Sequence, residues 1–185
     1  MKKSYGLKIK EIAYISFFSV FIAVCSWISV PFLISYTMQS FGVFLCMGVL
    51  GGKKGTISVL VYILLGICGL PVFSGFSGGI GVIMGATGGY IIGFLAAALV
   101  MWLLERLFYN SDRFYLISML IGLFICYLVG TVWFAFVYTQ SNADIGLWTV
   151  LVSCVVPFII PDILKILLAL YIRKRIVFII KDFGG

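Results

Sequence analysis

The sequence predicts an all-α integral membrane protein with six transmembrane helices, on three observations. Of its 185 residues, 63% are hydrophobic and only 10% are charged, whereas soluble domains carry about 25% charged residues. Residues 55–104 and 114–143 contain no Lys, Arg, Asp or Glu at all. Because each span needs roughly 20 residues, the chain has room for about six helices, and we treat residues 1–185 as one membrane domain.

Turn signals divide the chain into these helices. Pro31 restricts the residue before it and ends the first helix, and residues 51–55, with two lysines between glycines, predict a turn between helices 2 and 3. The predicted helices are residues 11–28, 38–50, 56–68, a fourth from near 84–88 to 106, 115–138 and 161–178. A polar turn at 110–113, a polar loop at 139–144 and a short helix at 145–155 connect the later ones.

The basic residues indicate how the helices are oriented. If the N-terminus is cytoplasmic, 12 of the 13 Lys and Arg residues lie at the two termini and at the turns after helices 2 and 4, as the positive-inside rule expects. The exception is Lys165, within helix 6. We therefore predict a multi-pass cell-membrane protein with both termini in the cytoplasm, in which the net charge of +7 indicates contact with the bilayer and no nucleic-acid partner.

Asp162 and Lys165 are the first candidates for a binding site. Ionisable side chains within membrane helices are costly and commonly functional, and a spacing of three places these two on one helix face. Pro161 suits the first turn of a helix, where Asp162 would meet free backbone N–H groups that favour negative charge. The predicted topology puts the pair just below the outer surface. A purely structural ion pair remains an open alternative.

A glycine-rich segment, residues 69–93, holds nine of the 21 glycines and no charge. Irregular backbone at membrane depth is tolerated only where protein covers it or where it lines a cavity. The segment therefore predicts an outer loop between helices 3 and 4 that walls a pocket, with hydroxyl groups from Ser77 and Tyr90 and apolar surface from Phe73. Ser74, Thr87 and Phe76 are further candidates. Small-residue helix packing at Gly85, Gly89 and Gly93 is the alternative.

Gln39 lies near the outer start of helix 2, on the same side of the membrane as Asp162. Its amide donates and accepts hydrogen bonds, which suits a ureide or amide ligand. A simple interfacial cap explains the same position equally well.

Several classes of function are disfavoured. The chain has no histidine, and its five cysteines are scattered through apolar stretches. The remaining carboxylates lie near predicted helix ends, so the sequence encodes no nucleophile–base pair, metal-ligand cluster or ATP site. We therefore expect a non-enzyme without a cofactor. Helices that are apolar nearly all round also argue against a pore.

Seven stretches carry a resemblance to a known family: Thr37-Met38-Gln39, Gly51-Gly52-Lys53-Lys54-Gly55, Val61-Tyr62-Ile63-Leu64-Leu65-Gly66, Gly69-Leu70-Pro71-Val72-Phe73, Gly85-Ala86-Thr87-Gly88-Gly89-Tyr90, Gly130-Thr131-Val132-Trp133, and Pro157-Phe158 followed by Pro161-Asp162-Ile163-Leu164-Lys165. In this order and spacing they resemble the biotin-specific S-components of energy-coupling factor (ECF) transporters, the BioY family, over residues 31–175.

The resemblance implies the six-helix S-component fold and capture of biotin, as transported ligand, from the outside. Uptake would require a transmembrane coupling subunit and two ATPase subunits. It implies polar contacts with biotin from Asp162 and Lys165, a loop closed by Ser77, Gly78 and Gly79, and a lesser contact from Gln39. Which charged residue meets the ureido ring and which the carboxylate stays open. The alternatives are an S-component for another vitamin and, from another class, a small membrane enzyme or assembly factor.

Overall fold

The computed structural model describes residues 9–30, 36–108, 111–141 and 155–182, and it is mainly helical. The helices are α1 (Ile9–Trp27), α2 (Gln39–Ile67), α3 (Ile80–Met84), α4 (Gly88–Leu107), α5 (Asp112–Ser141) and α6 (Val156–Asp182). Two short strands between α1 and α2, β1 (Ser29–Val30) and β2 (Tyr36–Thr37), pair antiparallel. A 3₁₀ turn covers Ser74–Phe76. The all-α class predicted from composition is confirmed.

Within the part of the chain that the structure describes, four helices are long and apolar enough to cross a membrane. These spans are Ile9–Trp27, Gln39–Ile67, Gly88–Leu107 and Asp112–Val137. The structure thus agrees with a multi-pass membrane protein.

The predicted helices 2 and 3 are both present within α2, which doubles back at Gly51 (φ +76°, ψ 171°). A Cβ on Gly55 would lie 3.0 Å from the Cα of Met47, although eight residues of straight helix would separate the two by about 12 Å. The two segments, 39–50 and 52–67, therefore pack side by side. The predicted five-residue turn is wrong in extent, because the N–H of Gly52 bonds to the Glu105 carboxylate and the chain is helical again at once.

Close glycine contacts join α4 to α5. Gly89 leaves room for the Trp133 side chain, and a Cβ on Gly93 would lie 2.9 Å from the carbonyl oxygen of Cys126. The small-residue packing that the sequence allowed as an alternative is thus found at these two positions. A shared core of side chains with no more than 1% exposure holds the bundle together: Ile22, Val43, Phe44, Cys46, Met47, Val59, Tyr62, Phe73, Ala97, Ala98, Met119, Ile166 and Ala169.

Charged residues gather at one end of the bundle, where α2 doubles back, and we call this the basic end. Lys54 pairs with Glu11 (2.8 Å), and Asp112 pairs with Arg173 (2.8 Å) and Lys174 (3.2 Å). Lys54, Arg173 and Lys174, three of the basic residues predicted to share one side of the membrane, therefore lie at the same end. The β-ribbon, residues 68–87 and the start of α6 lie at the opposite end, which we call the cavity end.

Helices α5 and α6 are longer than the sequence predicted. Helix α5 begins within the predicted polar turn and continues to Ser141, three residues into the predicted loop. The predicted short helix at 145–155 lies outside the described residues except for Val155. Helix α6 begins at Val156, so Pro161 lies in its second turn and the prediction of a first-turn proline is wrong. Pro157 takes the first-turn place, where a missing N–H costs nothing.

Candidate functional site

A buried ion pair lies at the cavity end of α6. Asp162 and Lys165 are only 6% and 5% exposed, and Nζ of Lys165 is 2.8 Å from Oδ1 of Asp162. The predicted shared helix face is therefore found. Buried charges are costly unless each is paired and hydrogen-bonded, so the surrounding groups matter as much as the pair itself.

Two further side chains complete the surroundings of Asp162. The hydroxyl of Ser40, in the first turn of α2, donates to Oδ1 (2.9 Å), and the hydroxyl of Tyr127, on α5, donates to Oδ2 (2.6 Å). An ionised carboxylate offers about four lone-pair sites. Among the described residues, three of these sites are filled and one on Oδ2 is left.

Lys165 is held mainly by the chain around β2. Its Nζ donates to the carbonyl of Thr37 (2.6 Å) and to Oγ of Ser40 (3.3 Å), and it lies 3.9 Å from the ring centroid of Tyr36. Together with Asp162, these acceptors engage all three ammonium donors. The β-ribbon positions Thr37, since Val30 pairs with Tyr36 and Ser29 with Thr37.

The pair opens onto a cavity of about 140 Å³ at the same end of the bundle. An apolar cavity of about this size holds a benzene ring, so the space suits a ring-sized group. The lining surface is mostly apolar, and ten of its 17 residues add a polar side chain: Thr37, Gln39, Ser40, Phe73, Ser74, Ser77, Val82, Thr87, Tyr90, Ile91, Phe94, Leu123, Cys126, Tyr127, Phe158, Asp162 and Lys165. Such a composition is usual for small-molecule sites.

Gln39 differs from the other polar lining residues. It is buried at 5% exposure, and its Nε2 has no hydrogen-bond partner in the part of the chain that the structure describes. A buried amide left without a partner costs free energy. The geometry therefore leaves two unused donors at the cavity, close in sequence to Ser40 and the Asp162 carboxylate that Ser40 contacts.

The connection between α2 and α4 covers one side of the cavity. The ring of Phe73 occupies the space that Gly66 leaves by having no Cβ and packs edge-on against Tyr62. Ser77 donates to the carbonyl of Ser74 (2.7 Å). Farther along, Nε1 of Trp133 donates to the carbonyl of Gly85 (3.0 Å) and so ties this connection to α5.

Not every residue proposed for the site lies at the cavity. The structure brings six of the eight together: Asp162, Lys165, Gln39, Phe73, Ser77 and Tyr90. Gly78 and Gly79 are not among the described lining residues, because Gly78 abuts the carbonyl of Leu70 and the N–H of Gly79 donates to the carbonyl of Gly66 (2.7 Å). Phe76 points elsewhere and stacks on Trp27.

Sequence reasoning missed Ser40 and Tyr127. Tyr127 belongs to a stretch of 30 residues without charge, where a tyrosine has no feature that separates a ligand of Asp162 from a packing residue. Ser40 directly follows Gln39, so the same predicted helix start could have suggested it.

An apolar helical bundle with a cavity beside a buried ion pair defines a membrane protein that binds a small molecule. The model of the BioY family matches residues 1–182. The chain is 37% identical to a probable biotin transporter BioY of Pyrococcus horikoshii, over 92% of this chain and 98% of the relative. It is 39% identical to the biotin transporter BioY of Thermotoga maritima, over 86% and 90%.

A solved structure has the same fold. It is the S-component for biotin from an ECF-type ABC transporter, with a TM-score of 0.80, 30% identity and 94% of each chain covered. The chain belongs to the BioY family.

Proposed function

We propose that this chain is the biotin-binding S-component of an ECF transporter and captures biotin at the cavity end. The observation that carries the proposal is the buried Asp162–Lys165 pair at a small cavity in a chain of this family. The chain contributes binding rather than chemistry, and biotin is its transported ligand.

The unused hydrogen-bonding groups suggest how biotin lies. The free lone pair on Oδ2 of Asp162 accepts an N–H, and Nε2 of Gln39 donates to a carbonyl oxygen. A ureido ring carries both groups side by side. We therefore place the ureido end between Asp162 and Gln39, with Phe73 and Phe94 as apolar walls.

Lys165 then serves chiefly to pair with Asp162 and hold its carboxylate in place, because its three donors are engaged within the protein. A carboxylate could reach it only by exchanging with Thr37 or Ser40. The hydroxyls of Ser74 and Thr87, which also line the cavity, are the other candidates for the carboxylate end, whereas Ser77 would first have to release the carbonyl of Ser74.

The finer topology is part of the proposal. We take the two segments of α2 as separate spans, which with α1, α4, α5 and α6 makes six. The basic end then faces the cytoplasm with both termini, the cavity faces outward, and residues 69–87 form the outer loop. A transmembrane coupling subunit and two ATPase subunits would drive uptake.

Equilibrium binding of labelled biotin to the purified chain in lipid nanodiscs tests this function. We expect one site, and a loss of affinity of roughly 10- to 100-fold in Asp162→Asn, because a hydrogen bond to a charged group contributes about 1.5–3 kcal/mol. Asp112→Asn is the matched control, since it removes a paired carboxylate at the basic end.

Two outcomes would contradict the proposal. A folded protein that binds no biotin, but binds another vitamin from a panel, would support the alternative of an S-component for that vitamin. Equal affinity in wild type and Asp162→Asn would remove the site assignment while leaving the function standing. Uptake assays with and without an ECF coupling module test the partners separately.

A further inference from the structure

Four large apolar side chains project outward from the connection between α2 and α4. Leu70, Phe76, Ile80 and Met84 form this set, which we call the apolar rim, and the last three are 63–66% exposed. No residue from 55 to 104 carries a charge. Exposed apolar surface without charged neighbours commonly marks contact with a partner or a membrane.

The depth of the rim follows from contacts at the basic end. Glu11 pairs with Lys54 and Glu105 binds the N–H of Gly52, so α1, α4 and the 52–67 segment share one level there. At 1.5 Å per residue, the 52–67 segment is about 24 Å long. Because the hydrocarbon core is roughly 30 Å thick, the chain after Ile67 is still within reach of lipid.

Trp27 places the rim at the same level independently. From Glu11 to Trp27, α1 also rises about 24 Å. The indole Nε1 of Trp27 donates to the carbonyl of Pro71 (2.8 Å), and its ring stacks on Phe76 with centroids 5.1 Å apart. Tryptophan is enriched where hydrocarbon meets headgroups.

The rim also continues a lipid-facing surface. Leu60, Leu64 and Ile67 are exposed along one side of the 52–67 segment, at the spacing of a single helix face. Leu70 follows directly, with 47% exposure. An apolar stripe that begins on a membrane-spanning helix thus runs without interruption into the connection.

We infer that the apolar rim is embedded in lipid, at the boundary between acyl chains and headgroups of the leaflet at the cavity end. The wall of the cavity is then partly a membrane-seated element rather than a loop in water. The rim contacts lipid rather than a second copy or a partner subunit. It continues the apolar stripe of the 52–67 segment, and Trp27 lies at the same depth in the membrane. Water is excluded from Phe73 on this side.

A fluorescent label at single cysteines tests the occupant. Met84→Cys and Ile80→Cys are made in a Cys68→Ser, Cys154→Ser background, labelled with an environment-sensitive dye, and reconstituted in vesicles with brominated or ordinary phosphatidylcholine. Leu64→Cys is the lipid reference, and Ser111→Cys at the basic end is the water reference. Gel filtration checks that each variant is folded.

We expect blue-shifted emission at positions 80 and 84, quenching by brominated lipid as strong as at position 64, and iodide quenching several-fold weaker than at position 111. Iodide quenching as strong as at position 111 would show that the rim lies in water and overturn the inference. Protection from both quenchers would show a protein occupant and overturn it equally. Neither result depends on biotin binding.

Discussion

The hydroxyl of Tyr127 on α5 donates a 2.6 Å hydrogen bond to Oδ2 of Asp162 on α6. The other carboxylate oxygen is engaged by Lys165 from the same helix and by Ser40 from α2. Three helices therefore meet at one buried carboxylate. The same carboxylate is a member of the proposed biotin site, so its protein contacts affect both stability and binding.

Tyr127→Phe should destabilise the empty protein more than the biotin-loaded protein. The substitution keeps the ring but leaves Oδ2 without its protein partner, at a cost of about 1–3 kcal/mol. A ureido N–H would restore one hydrogen bond to that oxygen. Thermal unfolding in detergent, with and without saturating biotin, measures the difference. Tyr171→Phe, at an exposed position on α6, is the control, and an equal loss in both states would argue against the contact with biotin.

Gln39→Met should separate stability from binding. Methionine has nearly the same shape but carries no N–H, so a buried amide group without a partner is removed. We expect an unfolding midpoint of the empty protein that is unchanged or higher, together with biotin affinity about tenfold weaker, as for loss of a single hydrogen bond of about 1.4 kcal/mol. Unfolding and equilibrium binding are measured on the same preparation.

Tyr62→Phe is the matched control for Gln39→Met. The hydroxyl of Tyr62 is the other buried side-chain group without a hydrogen-bond partner among the described residues, and Tyr62 does not line the cavity. Its removal should leave biotin affinity unchanged. If both variants bind biotin like the wild type, Gln39 is a packing residue and the ureido placement is wrong.

Lys165→Met should weaken biotin and biotin amide by the same factor. In the structure Lys165 contacts Asp162, and loss of one partner of a buried pair lowers the free energy of unfolding by about 3–5 kcal/mol. Because this effect acts through Asp162, it does not depend on the group at the far end of the ligand. Competition binding with both ligands gives the two ratios. A loss confined to biotin, with the amide unaffected, would instead assign the carboxylate to Lys165.

The fold follows from the sequence where a local signal is sufficient. The positions of the charged residues and prolines predict most of the helices. Charged residues favour the ends of membrane helices because they need water, and proline limits a helix through its own backbone geometry. The start of α6 was misplaced because two prolines compete for the first turn, and the structure uses Pro157. The sequence predicts too long a turn in α2, because the carboxylate of Glu105, which is distant in sequence, accepts a hydrogen bond from the N–H of Gly52.

The site was predictable only in part. Asp162 and Lys165 stand out because charge is rare within membrane helices, and their i,i+3 spacing fixes the contact. Tyr127 could not be found, since its role depends on how α5 crosses α6. Gly78 and Gly79 were proposed as a cover for the ligand, yet their nearest contacts are with the chain at Leu70 and Gly66. Glycine content alone indicates irregular backbone without saying which surface it faces.

Gly51→Ala should destabilise the protein far more than Gly81→Ala. At φ +76° and ψ 171°, Gly51 occupies a region essentially restricted to glycine, where a side chain costs about 1–3 kcal/mol, and a Cβ would also lie 3.1 Å from the Glu105 carboxylate. Gly81 is helical, has ordinary φ and faces open space, so alanine there is tolerated. We expect a clearly lower unfolding midpoint for Gly51→Ala only. Equal unfolding midpoints for the two variants would mean that the turn in α2 does not require a glycine at residue 51.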